Sequence, residues 1–107
     1  IFGTTSDKRL KTDIKPIENA TDKIMSMNPI NHKWKSDTDL PAVDGFIAQE
    51  MIDIIPESVS KPENDDEMMN MDYGRITPVI VAALQDALKE IKELKEKIES
   101  MENTNGG

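Results

Sequence analysis

The sequence predicts an α+β fold, mainly helical, in which a small globular part with short strands precedes a long C-terminal helix that forms a parallel coiled coil. Three observations carry this. Thr77-Pro78 pairs a capping residue with Pro at the first helical position, and the chain then runs without Gly or Pro to Glu102. Within that run Ile80, Leu84, Ala87, Ile91, Leu94, Ile98 and Met101 recur at alternating steps of four and three. Upstream, apolar residues come in short groups broken by Pro, Gly and Asn, and a chain of 107 residues with 36% apolar and 4% aromatic content suffices for one small domain with a thin core. Such a core is expected to draw further stability from a partner subunit.

Taken in order, Pro16, Ile17, Ala20, Ile24 and Met27 predict a short amphipathic helix that starts at the proline and stops at Asn28-Pro29. Asn31 to Lys35 alternates and predicts a strand, with Trp34 as its one large anchor, before a polar turn region from Ser36 to Pro41. Val43 to Ala48 predicts a second strand, and Gln49 to Ile55 a helical stretch closed by Pro56. Met68, Met69 and Met71 are expected to line a strand on the core as adaptable gap-fillers. His32 has no second imidazole or thiol to join it and reads as structural.

In the long helix Leu84, Ile91 and Ile98 fall at a and Ala87 and Leu94 at d, a pattern that favours two strands. Ala83 and Leu88 at the flanking g and e positions widen the stripe toward a three-stranded contact or a docked globular part. Spacing leaves dimer and trimer open, along with a helix packed on its own domain. Glu90 with Lys95, and Lys97 with Glu102, place opposite charges at successive g and e positions, as parallel in-register strands favour.

Composition narrows the function classes. The formal charge of −8, from 13 basic and 21 acidic side chains, argues against nucleic acid as the main partner. No apolar run is long enough to span a bilayer, and no membrane partner is expected. The absence of Cys removes disulfides, thiolate catalysis and sulfur-ligated metals. Glu57, Glu63, Asp65, Asp66, Glu67 and Asp72 stand against Lys61 alone and read as a solvated loop; their oxygen spacing fits no standard calcium loop, so no metal or other cofactor is expected. The start, Ile1-Phe2-Gly3, reads as part of a longer polypeptide.

Against this acidic background the first fifteen residues are basic, with Lys8, Arg9, Lys11 and Lys15 against Asp7 and Asp13. Here Ser6-Asp7-Lys8-Arg9-Leu10-Lys11 places a hydroxyl and an ammonium five residues apart. On its own this reads as a cap and a solvated lysine, because steps of five put side chains on different faces of a helix or a strand. A turn has to bring Ser6 and Lys11 together.

That block with Ile14, then Gly45-Phe46-Ile47-Ala48-Gln49-Glu50 with Ile55-Pro56-Glu57 and Val59, then Tyr73-Gly74-Arg75 leading into Val81-Ala82-Ala83-Leu84-Gln85, resembles the intramolecular chaperone auto-processing domain. This family ends bacteriophage tailspikes, endosialidases, fibres and neck appendages, and the likeness runs from Ser6 to about Leu94. The resemblance implies a domain that forms a homotrimer, helps an upstream stalk of the same polypeptide to fold, and then cuts its own backbone once, at Thr5-Ser6. It implies assembly in the cytoplasm of a bacterial host, with the upstream product in the virion and the chaperone fragment released. Residues 1–5 would end the upstream product, 6–76 form the auto-processing part, 77–102 the coiled-coil helix, and 103–107 a disordered tail. Ser6 and Lys11 would be the catalytic dyad, with Asp7, Arg9 and Glu50 as supporting candidates.

Serine becomes a nucleophile only when a base takes its proton, and a lysine is such a base only as a free amine. Burial of Lys11, which desolvates the ammonium, is therefore expected, and a nearby cation such as Arg9 would act in the same direction. Asp7 or Glu50 in contact with Lys11 would oppose it. Glu50 orients the dyad, protonates a leaving group, or serves as a structural tie to Arg9. The competing reading is a coiled-coil oligomerisation or adaptor module that breaks no bond.

Overall fold

A computed structural model describes residues 3–105. Three helices, four short strands and three single 3₁₀ turns follow one another as turn Lys8–Leu10, α1 Ala20–Ser26, β1 Ile30–His32, β2 Val43–Gly45, α2 Ala48–Ile54, turn Pro56–Ser58, β3 Val59–Ser60, β4 Asn70–Met71, turn Tyr73–Arg75 and α3 Thr77–Asn105. The small α+β body and the long final helix are as the sequence predicts.

The first helix begins later than its proline. Asn19 adopts a left-handed backbone with φ of 59°, which a short polar residue tolerates, and α1 starts after it, leaving Pro16 and Ile17 in the preceding arm. The helix ends at Ser26, and the chain is extended at Met27, as a following Asn28-Pro29 requires. α1 lies against the first turns of α3, and Thr21 Oγ1 donates to Asp86 Oδ2 at 3.5 Å across that contact.

Each sheet is a pair of antiparallel strands. β1 and β2 join in the register Ile30 to Gly45, Asn31 to Asp44 and His32 to Val43, and Asn31 Nδ2 donates to Asp44 Oδ1 at 2.9 Å on one face. β1 is shorter than the alternation predicts: past His32 the chain turns back, with Trp34 bridging Asp37. Trp34 does not anchor the core. It is 57% exposed and meets the edge of His32 at a centroid distance of 4.8 Å. The strand expected over Val43 to Ala48 stops at Gly45 because α2 has begun by Ala48. β3 pairs with β4 as Val59 to Met71 and Ser60 to Asn70. Met71 packs on the core and Met69 is half-buried, but Met68 is 80% exposed, since it precedes the strand rather than lining it.

Ala20, Met51, Ile55, Ile76 and Val79 form the buried core, with Ile24, Phe46, Ile54, Val59, Met71, Ala82 and Ala83 packed around it. Ser58 is fully buried, its hydroxyl donating to the Ile55 carbonyl at 2.7 Å and its own carbonyl accepting from Asp72 N–H at 2.8 Å. That pair of bonds fastens the turn Tyr73–Arg75 to the body and sets where α3 departs.

α3 has 29 residues, about 43 Å at 1.5 Å per residue. Only its start is held by the domain: from Leu84 to Thr104 its residues are exposed, including Leu84, Ala87, Leu88, Ile91, Leu94, Ile98 and Met101. The alternative of a long helix packed along its own domain is thereby excluded for a single chain. The helix also runs past Glu102 to Asn105, so residues 103–105 extend it; Gly106 and Gly107, the rest of the expected tail, lie outside the described residues.

Candidate active site

The basic arm before α1 folds back on itself at one place. Leu10 N–H donates to the Asp7 carbonyl and Lys11 N–H to the Lys8 carbonyl, both at 3.1 Å, and these two bonds make the 3₁₀ turn Lys8–Leu10. Asp7, with an extended backbone, caps it: Oδ1 accepts from Arg9 N–H at 2.9 Å. The Arg9 side chain then closes on the same carboxylate, Nε to Oδ1 at 3.1 Å and a terminal guanidinium nitrogen to Oδ2 at 2.9 Å. The guanidinium holds the Asp7 carboxyl below its usual range, and the carboxylate raises Arg9 in return.

With the chain reversed, Lys11 Nζ lies 2.7 Å from Ser6 Oγ. The turn the spacing demanded is therefore present, and it brings together a hydroxyl and an amine that neither a helix nor a strand would join. The contact is short enough to pass a proton in either direction.

Other arrangements expected of these residues are not met in the single chain. Lys11 and Ser6 are both exposed, so a single chain does not provide the burial expected of the lysine. Arg9 faces Asp7, which leaves neither charge facing Lys11. The tie between Glu50 and Arg9 does not form; Glu50 sits in the first turn of α2 and accepts from Asn28 Nδ2 at 3.3 Å. The Thr5-Ser6 peptide lies among the described residues, whereas Ile1 and Phe2 of the segment before it lie outside them.

Beside Thr4, Thr5, Ser6 and Lys11 a cavity of about 790 Å³ opens toward the body, and Arg75, Gly74 and Asp72 also line it. Arg75, whose Nε is 3.7 Å from Asp72 Oδ2, is a residue that local reading of the basic arm misses. Its signal was the Tyr73-Gly74-Arg75 block, which lies far from Ser6 in sequence but ends in the turn that Ser58 pins. Among the described residues no three His, Asp or Glu side chains converge as a metal ion requires.

Residues 6–60, just over half of the 107, match the model of a peptidase family described as the chaperone of endosialidase. The chain belongs to this family. Its match begins at Ser6, the residue that Lys11 touches. Over 98 residues the chain is 30% identical to the long tail fiber protein Gp37 of Enterobacteria phage K3, a match covering 87% of this chain and 8% of that protein. It is 34% identical over 96 residues to the Gp37 of Enterobacteria phage M1, covering 84% of this chain and 38% of the relative. With the Gp37 of Salmonella phage S16 it shares 31% identity over 110 residues, covering 95% of this chain and 15% of the relative. The chain thus spans far less than two thirds of the curated relatives it matches.

Proposed function

We propose that this chain is a C-terminal intramolecular chaperone of a phage tail fibre, tailspike or neck-appendage polypeptide, and that it frees itself by one autoproteolytic cut at Thr5-Ser6. The observation that carries the reading is the 2.7 Å contact between Lys11 Nζ and Ser6 Oγ, next to the peptide to be cut. Family membership and the likeness to phage tail fibre proteins support the setting.

In this reading Lys11, as a free amine, takes the proton of Ser6 Oγ while the oxygen attacks the Thr5 carbonyl carbon. The tetrahedral adduct collapses with cleavage of the bond to the Ser6 nitrogen, which takes the proton back from Lys11. The product is an ester between Thr5 and Ser6 that water hydrolyses to a Thr5 carboxylate and a free Ser6 amine. Direct attack by a water activated at Lys11 gives the same products. Nucleophile and carbonyl are neighbours in one chain, so held geometry contributes about 7–11 kcal/mol relative to a dilute encounter. Arg75 is the cation proposed for the developing oxyanion, since it lines the same cavity and Arg9 does not, and its contact with Asp72 at 3.7 Å is looser than the grip of Asp7 on Arg9.

Homotrimerisation through the stripe from Ile80 to Met101 supplies what the single chain lacks, a neighbour that covers α3 and removes water from Lys11. Cutting then waits for assembly. Once the chaperone leaves, the stalk has no route back, and its durability becomes kinetic. The exposed stripe by itself also fits a non-cleaving oligomerisation or adaptor module.

A version extended upstream separates the two on a denaturing gel with intact-mass analysis. A fragment beginning at Ser6, absent from Ser6→Ala, is the expected result. A wild-type assembly that stays whole would sink the peptidase reading and leave the adaptor.

A further inference from the structure

Five residues of extended chain separate their ends by about 17 Å, yet the side chains of Ser6 and Lys11 touch. Something has to hold the reversal. A single 3₁₀ turn has poor hydrogen-bond geometry, and this one buries none of its residues against the body. Its two backbone bonds are both 3.1 Å and open to water. The only side-chain bonds within it, other than the Lys11 to Ser6 contact itself, converge on the Asp7 carboxylate, which accepts the Arg9 amide and both arms of the Arg9 fork.

We infer that Asp7 and Arg9 act as a positioning clamp: the carboxylate caps the turn, the guanidinium locks the carboxylate, and the locked turn delivers Lys11 Nζ to Ser6 Oγ. Neither residue touches the scissile peptide or the lysine amine in this arrangement, and neither lines the cavity beside Ser6. Asp7 is therefore not a second base, and Arg9 does not act on Lys11 through its charge, which the carboxylate 2.9 Å away cancels. The role rests on Ser6 and Lys11 being the reacting pair, but the geometry it describes exists whether or not a bond is cut.

Two measurements on the upstream-extended chain test it, each with helix content checked by circular dichroism. The first is the pH profile of the first-order cleavage rate for wild type, Asp7→Asn, Asp7→Ala and Arg9→Lys. Asp7→Ala, which loses cap and lock together, should slow cleavage about 100-fold, the cost of an ångström-scale misplacement. Asp7→Asn keeps an acceptor for the Arg9 amide and should fall between, as should Arg9→Lys, which keeps a charge but not the fork. The midpoint of the profile should stay where it is in all four. A wild-type rate in Asp7→Ala, or a displaced midpoint with an unchanged plateau, would overturn the clamp in favour of no role or a purely electrostatic one. The second is the nuclear Overhauser contact between the Lys11 Cε and Ser6 Cβ protons, expected in wild type and lost in Asp7→Ala. If wild type is never cut, the dyad reading falls, and the persistence or loss of this contact still decides the clamp.

Discussion

Ser6 and Lys11 meet only because the chain between them is neither helix nor strand, which decides how their roles can be probed. Lys11→Arg keeps the charge and the reach but offers a guanidinium that does not release a proton, so cleavage should fall by about 100-fold or more, followed as the rate at which the fragment appears. Asp7 adds a pH dependence of its own. Its folded pKa is lowered by Arg9, so the turn gains stability above the ordinary carboxylate pKa of about 4 and loses it as pH falls through the folded value. The Asp7 carboxyl carbon resonance should therefore titrate with its midpoint below the ordinary value of about 4, with the Arg9 Nε–H chemical shift following it; an Asp7 midpoint at the ordinary value contradicts the pairing. The need for a turn between Ser6 and Lys11 was legible, and Ser-Asp was legible as a cap. The pairing of Asp7 with Arg9 was not, because residues two apart face away from each other on an α-helix and meet only where the backbone tightens.

The helix limits marked by a proline next to them were the most readable, although α3 runs three residues past the expected Glu102. Pro56 and Thr77-Pro78 bound α2 and α3 within a residue of their observed limits, whereas α1 was displaced because a left-handed Asn19, invisible to apolar spacing, intervenes. Strands of two or three residues were the least readable, since alternation needs a longer window than β3 and β4 provide. Gly45 shows why the block around β2 tolerates little change. A Cβ there would stand 3.1 Å from Tyr73 Oη and 3.2 Å from His32 Nε2, and Tyr73 Oη is already held by the Phe46 N–H at 3.3 Å. Gly45→Ala should cost about 1–3 kcal/mol, read from the urea midpoint. Ile55, fully buried between α2 and the turn that follows it, should cost about 2–5 kcal/mol as Ile55→Ala. If both variants unfold at the wild-type urea concentration, the core is not where the structure places it.

As a whole the molecule is a small body with a rod, extending 68 × 44 × 29 Å, and its radius of gyration of 20.1 Å compares with about 13 Å for a compact chain of this length. The rod's apolar seam is exposed in the single chain, and the heptad spacing that revealed it was legible from sequence alone. The number of strands it would suit was not, because the a and d residues favour two strands while the flanking Ala83 and Leu88 favour three. Leu94→Asp, at a position 57% exposed in one chain, should leave the body folded, shift sedimentation to the monomer, and stop cleavage in the extended version. Efficient cutting by a verified monomer would separate processing from assembly. The pair proposed to react, however, sits within six consecutive residues of a single polypeptide. Co-expressed with a Ser6→Ala chain that still associates, each intact copy should process only itself: the severed fraction should track the input ratio linearly, mixed particles should carry both forms side by side, and the defective allele should be recessive rather than poisonous to its neighbours.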